Sequence, residues 1–176
     1  MLVEGISDQR AVEALAARYG RNLAGEGVAV EPIGGAQAIG AAVARFGPRG
    51  LGVRLAGLCD VGEERHYVRA LERAGLGSDL TREEMEGLGF FVCVTNLEDE
   101  LVRALGPDAV EDLVAANGEL RALRTYQKQP AHRHRARAEQ LYGFMWNRKI
   151  PYATLLVDAL DLARVPRPLA RLLAYV

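Results

Sequence analysis

Four short apolar runs set apart by helix-length segments limit this chain to a narrow set of folds. Leu2 with Val3, the stretch GVAVEPIGG (27–35), VRLAGLCD (53–60) and FFVCVT (90–95) lack clean polar alternation, as strands covered on both faces do. Between them lie SDQRAVEALAARYG (7–20), AQAIGAAVARF (36–46) and EERHYVRALERAG (63–75). Their apolar residues recur at helical spacing, with Val12, Leu15, Ala16 and Tyr19 in the first and Tyr67, Val68 and Leu71 in the third. Connections of that length are crossovers, and crossovers make neighbouring strands parallel. The expected fold class is therefore α/β, a Rossmann-like four-stranded, mostly parallel sheet flanked by helices.

Beyond the helix that follows the fourth run no strand is expected. DAVEDLVAAN (108–117), ELRALRTYQKQ (119–129) and RHRARAEQLYGFMW (133–146) read as helices, followed by a C-terminal pair that begins at PYATLLVDALDLA (151–163). Pro151 suits a first helical turn, and VPRP marks a break before the last helix. Residues 1–107 are thus read as the sheet-bearing core and 108–176 as an α-helical extension packed on it. Hydrophobic content of 49% with 26% charged residues fits a globular chain and excludes a disordered one. No apolar run approaches the length of a membrane span and no signal-peptide pattern opens the chain, so a cytoplasmic protein is expected. Cys59 and Cys93 stand alone in strand-like runs and read as reduced core residues.

A parallel sheet delivers the carboxyl end of every strand to one edge, where open α/β folds bind ligands. Glu4 follows the first strand, Asp60 ends the third, and Asn96 and Glu98 follow the fourth. Gly5 permits a sharp turn, and Ser7 or Asp8 is expected to cap the first helix, which brings Asp8 to the same edge. Carboxylates gathered this way repel one another, and a divalent cation is the usual remedy. Oxygen donors without convergent His or Cys favour Mg²⁺ or Mn²⁺, in one or two ions. Such ions leave positions for phosphate oxygens, the arrangement that phosphoryl-transfer enzymes use.

Charge is divided along the chain. Residues 1–120 carry 11 basic and 20 acidic side chains, whereas residues 121–149 carry Arg121, Arg124, Lys128, Arg133, Arg135, Arg137, Arg148 and Lys149 against Glu139 alone. An acidic front suits a cation, and the basic segment 121–149 suits a polyanion such as a nucleic-acid backbone. His132 and His134 belong to that basic surface rather than to a metal site. Tyr142, Phe144 and Trp146 read first as core aromatics and second as stacking partners for bases. Ser7 and Thr95 have no His/Asp partners in order, which argues against a hydrolase triad. Asp158 and Asp161 read as a solvated helix face.

LVEGISD, LAGLCDVGEE and VTNLEDEL, taken with LRTYQKQPAHRHRA and RKIPYATLLVDAL, resemble the TOPRIM domain as found in the OLD (overcoming lysogenization defect) family of nucleases. The resemblance covers nearly the whole chain, through motif order and spacing rather than any long identity. It implies a topoisomerase-primase fold and a metal-dependent nuclease that cuts or nicks DNA. By position, the family's glutamate matches Glu4, its second acid Asp8, the first Asp of its Asp-x-Asp Asp60, and the Glu of the later acidic turn Glu98, with Asn96 at the preceding ligand-like position. Its basic residue beyond the sheet matches Lys149, one of only two lysines. The implied catalytic residues are Glu4, Asp60 and Lys149; the implied metal ligands are Glu4, Asp8, Asp60, Asn96, Glu98 and Glu64. Arg124, Lys128, Arg133, Arg135, Arg137 and Arg148 are the expected nucleic-acid contacts.

Four departures qualify the match. Gly62 replaces the second Asp of Asp-x-Asp, leaving Glu63 or Glu64 as substitutes, and Asn96 is a neutral donor where an acid or hydroxyl is common. No GxxxxGK[ST] phosphate loop occurs, so ATP hydrolysis falls to a separate ATPase subunit or plays no part. The opening strand is short, which raises start-codon choice as a trimmer of the sheet. Two alternatives to a DNA nuclease stand beside it: an RNA-processing TOPRIM nuclease, and a nucleic-acid or partner-binding module whose site has decayed at Gly62. A homodimer is compatible with either, and no membrane partner is expected.

Overall fold

A computed structural model describes all residues, 1–176, as one sheet wrapped by helices. The strands are β1 (Leu2–Val3), β2 (Glu31–Pro32), β3 (Gly57–Asp60) and β4 (Phe90–Cys93). The helices are α1 (Ile6–Arg18), α2 (Ile39–Phe46), α3 (Glu64–Arg73), α4 (Arg82–Gly87), α5 (Leu97–Leu105), α6 (Pro107–Ala116), α7 (Leu120–Lys128), α8 (Arg137–Met145), α9 (Lys149–Ala159) and α10 (Arg167–Tyr175). Every strand pair is parallel, in the order β2-β1-β3-β4. No helix is long and apolar enough to cross a membrane.

The strands are shorter than the apolar runs suggest. The run 27–35 pairs only over Glu31–Pro32; the Ile33 N–H still donates to the Val3 carbonyl, and Gly34 and Gly35 then turn the chain with φ of 80° and 109°. Of 53–60, only the last four residues join the sheet. At Gly57 the crossing is so close that a Cβ would lie 2.9 Å from both the Leu2 carbonyl oxygen and the Phe90 ring. Helix α4 was not expected from the sequence. Its signal is a capping box in which Glu84 accepts from the Thr81 N–H while Thr81 Oγ1 accepts from the Glu84 N–H. Helix α8 begins at Arg137 rather than 133, because residues 130–135 form turns after Pro130.

Side chains alternate along the strands into two apolar layers. Val3, Leu58, Phe91 and Cys93 face a large cluster shared with α1, α5, α9 and α10, whereas Leu2, Cys59, Phe90 and Val92 face α2, α3 and Met85. Apolar residues on both faces explain the uninterrupted hydrophobic runs. The larger cluster joins Val12 and Leu15 to Tyr152, Leu156 and Leu169, so the C-terminal helices complete one side of the sheet. Arg18 ties α1 to the end of α9 by donating to the Val157 and Leu160 carbonyls, both at 2.7 Å.

Candidate metal and nucleic-acid site

Glu4 leaves β1 at its carboxyl end and is held there from two sides. Its carbonyl oxygen accepts from the Gly34 and Gly35 N–H groups, and its Oε1 accepts from the Asp60 N–H at 3.2 Å. The side chain therefore spans the ends of neighbouring strands. The cap of α1 differs from expectation: Gly5 is the N-cap, and Asp8, three residues on, reaches back to accept from the Gly5 N–H at 2.9 Å. Asp60 ends β3 and enters a 3₁₀ turn over Val61–Glu63.

Glu98 lies in the first turn of α5, 5% exposed. Its Oε2 is 3.1 Å from Lys149 Nζ, at the start of α9, and its Oε1 is buried with no hydrogen-bond partner. A buried, unpartnered carboxylate oxygen costs free energy, and an ion or water is the usual reason that it persists.

The acids feel one another. Burial, then the charges of Glu4, Asp8 and Glu98, push Asp60 up to about 8. Burial and then Glu98 push Asp8 up to about 6, against the opposing Gly5 N–H bond. Glu4 is raised by burial, with the Asp60 N–H bond working the other way and Glu63 and Glu98 adding to the rise. Lys149 is the cation that opposes the shift at all three. Four carboxylates around one ammonium form an electronegative edge.

The donor set fits a hard divalent ion. Every convergent donor is oxygen, one of them is orphaned, and the charge is under-compensated. No three His, Cys, Asp or Glu side chains close into a ready-made cage.

Two expected ligands are engaged elsewhere. Asn96 is the N-cap of α5: its Oδ1 accepts from the Asp99 N–H at 2.9 Å and its Nδ2 donates to the Tyr142 hydroxyl at 2.5 Å. Glu64 is held by Arg82 through bonds of 2.9 and 2.6 Å. Glu63 is the neighbour whose charge reaches Glu4, and its Oε2 is 3.4 Å from His66 Nε2. At Gly62 a Cβ would meet nothing within 4 Å, and φ is not positive, so the missing carboxylate reflects no packing constraint.

The basic residues divide into two sets. Arg124 and Arg137 both grip Glu111, Arg137 also reaching Asp108, and these pairs clamp α6 to α7 and α8. Arg148 pairs with Glu119 at 2.9 Å and lies over the Phe144 ring. Lys128, Arg133 and Arg135 have no acidic partner, although Arg133 donates to His134 at 2.9 Å. The polyanion surface is narrower than the sequence suggests, because three of its six expected contacts hold the helical extension together.

The sequence reading also left the aromatic residues unsorted. Phe144 is core at 3% exposure, whereas Trp146 is 51% exposed, with Lys149 Nζ 4.0 Å from its ring centroid. Tyr67, on α3, has a buried hydroxyl with no partner, and burial followed by the charges of Cys59 and Glu4 pushes its pKa up, holding the hydroxyl protonated. Helical periodicity marks Tyr67 as inward-facing, but nothing in the sequence marks its hydroxyl as lying beneath the acids.

No family model and no curated protein matches this chain in sequence. Solved structures do match. The C-terminal region of the Burkholderia pseudomallei OLD protein superposes with a TM-score of 0.76 at 21% identity, covering 99% of this chain and 94% of that one. The C-terminal region of the Xanthomonas campestris pv. campestris OLD protein gives 0.77 at 22% identity, covering 99% and 89%. The chain shares the fold of those regions, the fold implied by its LVEGISD, LAGLCDVGEE and VTNLEDEL motifs.

Proposed function

We propose that this chain is a divalent-metal-dependent nuclease that hydrolyses or nicks DNA phosphodiesters, of the OLD-like TOPRIM type. The observation that carries this reading is the meeting of Glu4, Asp8, Asp60 and Glu98 around Lys149, with Glu98 Oε1 buried and unpartnered. Likeness to the C-terminal regions of two OLD proteins supports it at the level of fold.

Glu4, Asp8, Asp60 and Glu98 would hold one or two Mg²⁺ or Mn²⁺ ions, with Glu63 rather than Glu64 as the acid that supplements them. Bound there, the ion supplies Lewis-acid polarisation of the phosphodiester and a water that ionises more readily. Asp60 retains a proton near neutrality without a cation, so cation and proton compete for its carboxylate. The Asp60 N–H aims the Glu4 carboxylate across the strand ends. Lys149 Nζ, 3.1 Å from Glu98 Oε2, would stabilise the charge that develops on a phosphate oxygen beside that carboxylate. Asn96 acts through α5, fixing the helix start that presents Glu98. Lys128, Arg133 and Arg135 remain for the polyanion backbone.

Supercoiled plasmid incubated with the chain and Mn²⁺ or Mg²⁺ tests this reading, with an RNA of matched length assayed beside it to separate the two polymers. Metal-dependent nicked or linear product that Glu4→Ala abolishes is the expected result; cutting that is absent, or indifferent to Glu4→Ala, overturns it. Two observations favour a second reading, that of a binding module with a weakened site: Gly62 supplies no carboxylate, and no three His, Cys, Asp or Glu side chains form a metal cage. Calorimetry distinguishes it, because that module binds DNA yet takes up no Mg²⁺ or Mn²⁺ at millimolar levels.

A further inference from the structure

Trp146 is the only tryptophan of the chain and sits half-exposed on a 3₁₀ turn between α8 and α9. Large aromatic surfaces left in water at a concave site are typical of binding surfaces. Its ring meets Tyr142 edge-on, with centroids 5.7 Å apart at 70°. Lys149 connects it to the acids: the same Nζ lies 4.0 Å from the indole centroid and 3.1 Å from Glu98 Oε2. Tyr142 is tied to the acid edge as well, through the bond from Asn96.

Beside this ring opens a pocket of about 640 Å³, lined by Tyr126, His132, Arg135, Glu139, Tyr142 and Trp146 among others. Tyr126 and His132 stack face to face, 3.9 Å apart at 16°, and present a flat wall. The floor is α8 itself, where a Cβ at Gly143 would collide with the Tyr126 hydroxyl. Arg135 has no acidic partner, and with Glu139 it offers a donor and an acceptor at the rim.

We propose that this pocket seats one unpaired nucleobase of the polymer whose phosphodiester lies at the Glu4 edge, which makes Trp146 a specificity-determining residue for single-stranded or unstacked substrate. The inference rests on the nuclease reading above. Flat π-faces with donor and acceptor groups at their margin match a base, and the unpaired cations Lys128, Arg133 and Arg135 nearby in sequence match its phosphates. Lys149 sets the register, because one ammonium touches both the stacking ring and Glu98 at the acidic edge. In a duplex each base is enclosed by its neighbours, so the pocket fills only when a nucleotide is unpaired or extruded.

Trp146 reports on its own occupancy, since the intrinsic tryptophan emission comes from this residue alone. The test titrates the full chain, in EDTA so that nothing is cut, with a single-stranded oligonucleotide, a blunt duplex, and a strand of the same length carrying abasic sites. Affinity is read in parallel from the anisotropy of a labelled strand. The single strand quenches the emission, whereas the duplex and the abasic strand leave it nearly unchanged. Trp146→Ala weakens single-strand binding by about tenfold, and Trp146→Phe, which keeps a ring, recovers most of the loss. An abasic strand that binds and quenches as well as the intact one, or Trp146→Ala binding as tightly as the parent with its circular dichroism unchanged, overturns the proposal. Because no cleavage is involved, quenching that persists without metal-dependent cutting sinks only the nuclease reading, and cutting without base-dependent quenching sinks only this one.

Discussion

Glu98 places one carboxylate oxygen 3.1 Å from Lys149 Nζ and buries the other against no partner. Removing the ammonium leaves a charged group inside the protein uncompensated, so Lys149→Ala is expected to destabilise the metal-free chain by about 1–3 kcal/mol. Thermal melts check this, with Mn²⁺ narrowing the gap between variant and parent because the ion supplies the lost positive charge. Gly62 gives the opposite kind of test. Its surroundings are open and its backbone is ordinary, so Gly62→Asp adds a carboxylate without steric cost. An acid close to the ion contributes roughly 1–4 kcal/mol at such an edge, and calorimetry is expected to show metal affinity raised by roughly tenfold or more. At this scale the sequence was legible for Glu4, Asp8, Asp60 and Glu98, whose positions follow from strand ends. It was not legible for Glu64 or Asn96. Glu64 is claimed by Arg82 from another helix, and Asn96 serves a cap because an α5 N–H and Tyr142 claim it.

Helix α5 carries Glu98, and its start is fixed by one side chain. Asn96→Ala removes the cap and the bond to Tyr142, so a loss of about 1–2 kcal/mol in denaturant unfolding is expected, together with weaker metal binding as the first turn frays. Metal affinity unchanged by Asn96→Ala would show that the cap does not position Glu98. Helices α1, α6 and α7 were legible because apolar residues recur at helical spacing over whole segments. Helix α4 is six residues long and largely acidic, with Met85 its one buried side chain, so periodicity had nothing to detect, although its Thr81–Glu84 capping box was present in the sequence. The ends of β2 and β3 were obscured for a different reason: apolar residues continue past the paired segment, and in β2 the turn at Gly34 and Gly35 ends it.

Across the whole molecule, the C-terminal helices supply both Lys149 and about half of the large core, which places Lys149 beside Glu98 at the sheet's acidic edge. The sequence showed two charge blocks but not that Arg124, Arg137 and Arg148 are spent on acids of α6 and its C-terminal turn, since those pairs are set by tertiary packing. The acidic edge also gives the fold a pH signature. Asp60 and Asp8 are raised to about 8 and about 6 from 3.8, so between these values the folded chain holds more protons than the unfolded one. Their contribution to stability is complete below about pH 4 and declines as pH rises through 6 and then 8. In EDTA, the melting temperature of Asp60→Asn is expected to fall less steeply than that of the parent from pH 5 to pH 8; equal slopes would contradict the shift. With Mn²⁺ present the site's contribution reverses, because the ion binds the deprotonated carboxylates.

The central claim is that the carboxyl edge of the sheet holds the catalytic ion. Anomalous diffraction from Mn²⁺-soaked crystals locates that ion without reference to activity. One or two peaks coordinated by Glu4, with Asp60, Asp8 or Glu98 completing the protein ligands, are the expected result. Mn²⁺ found only at other acids, or no peak at the Glu4 edge at saturating metal, would contradict it.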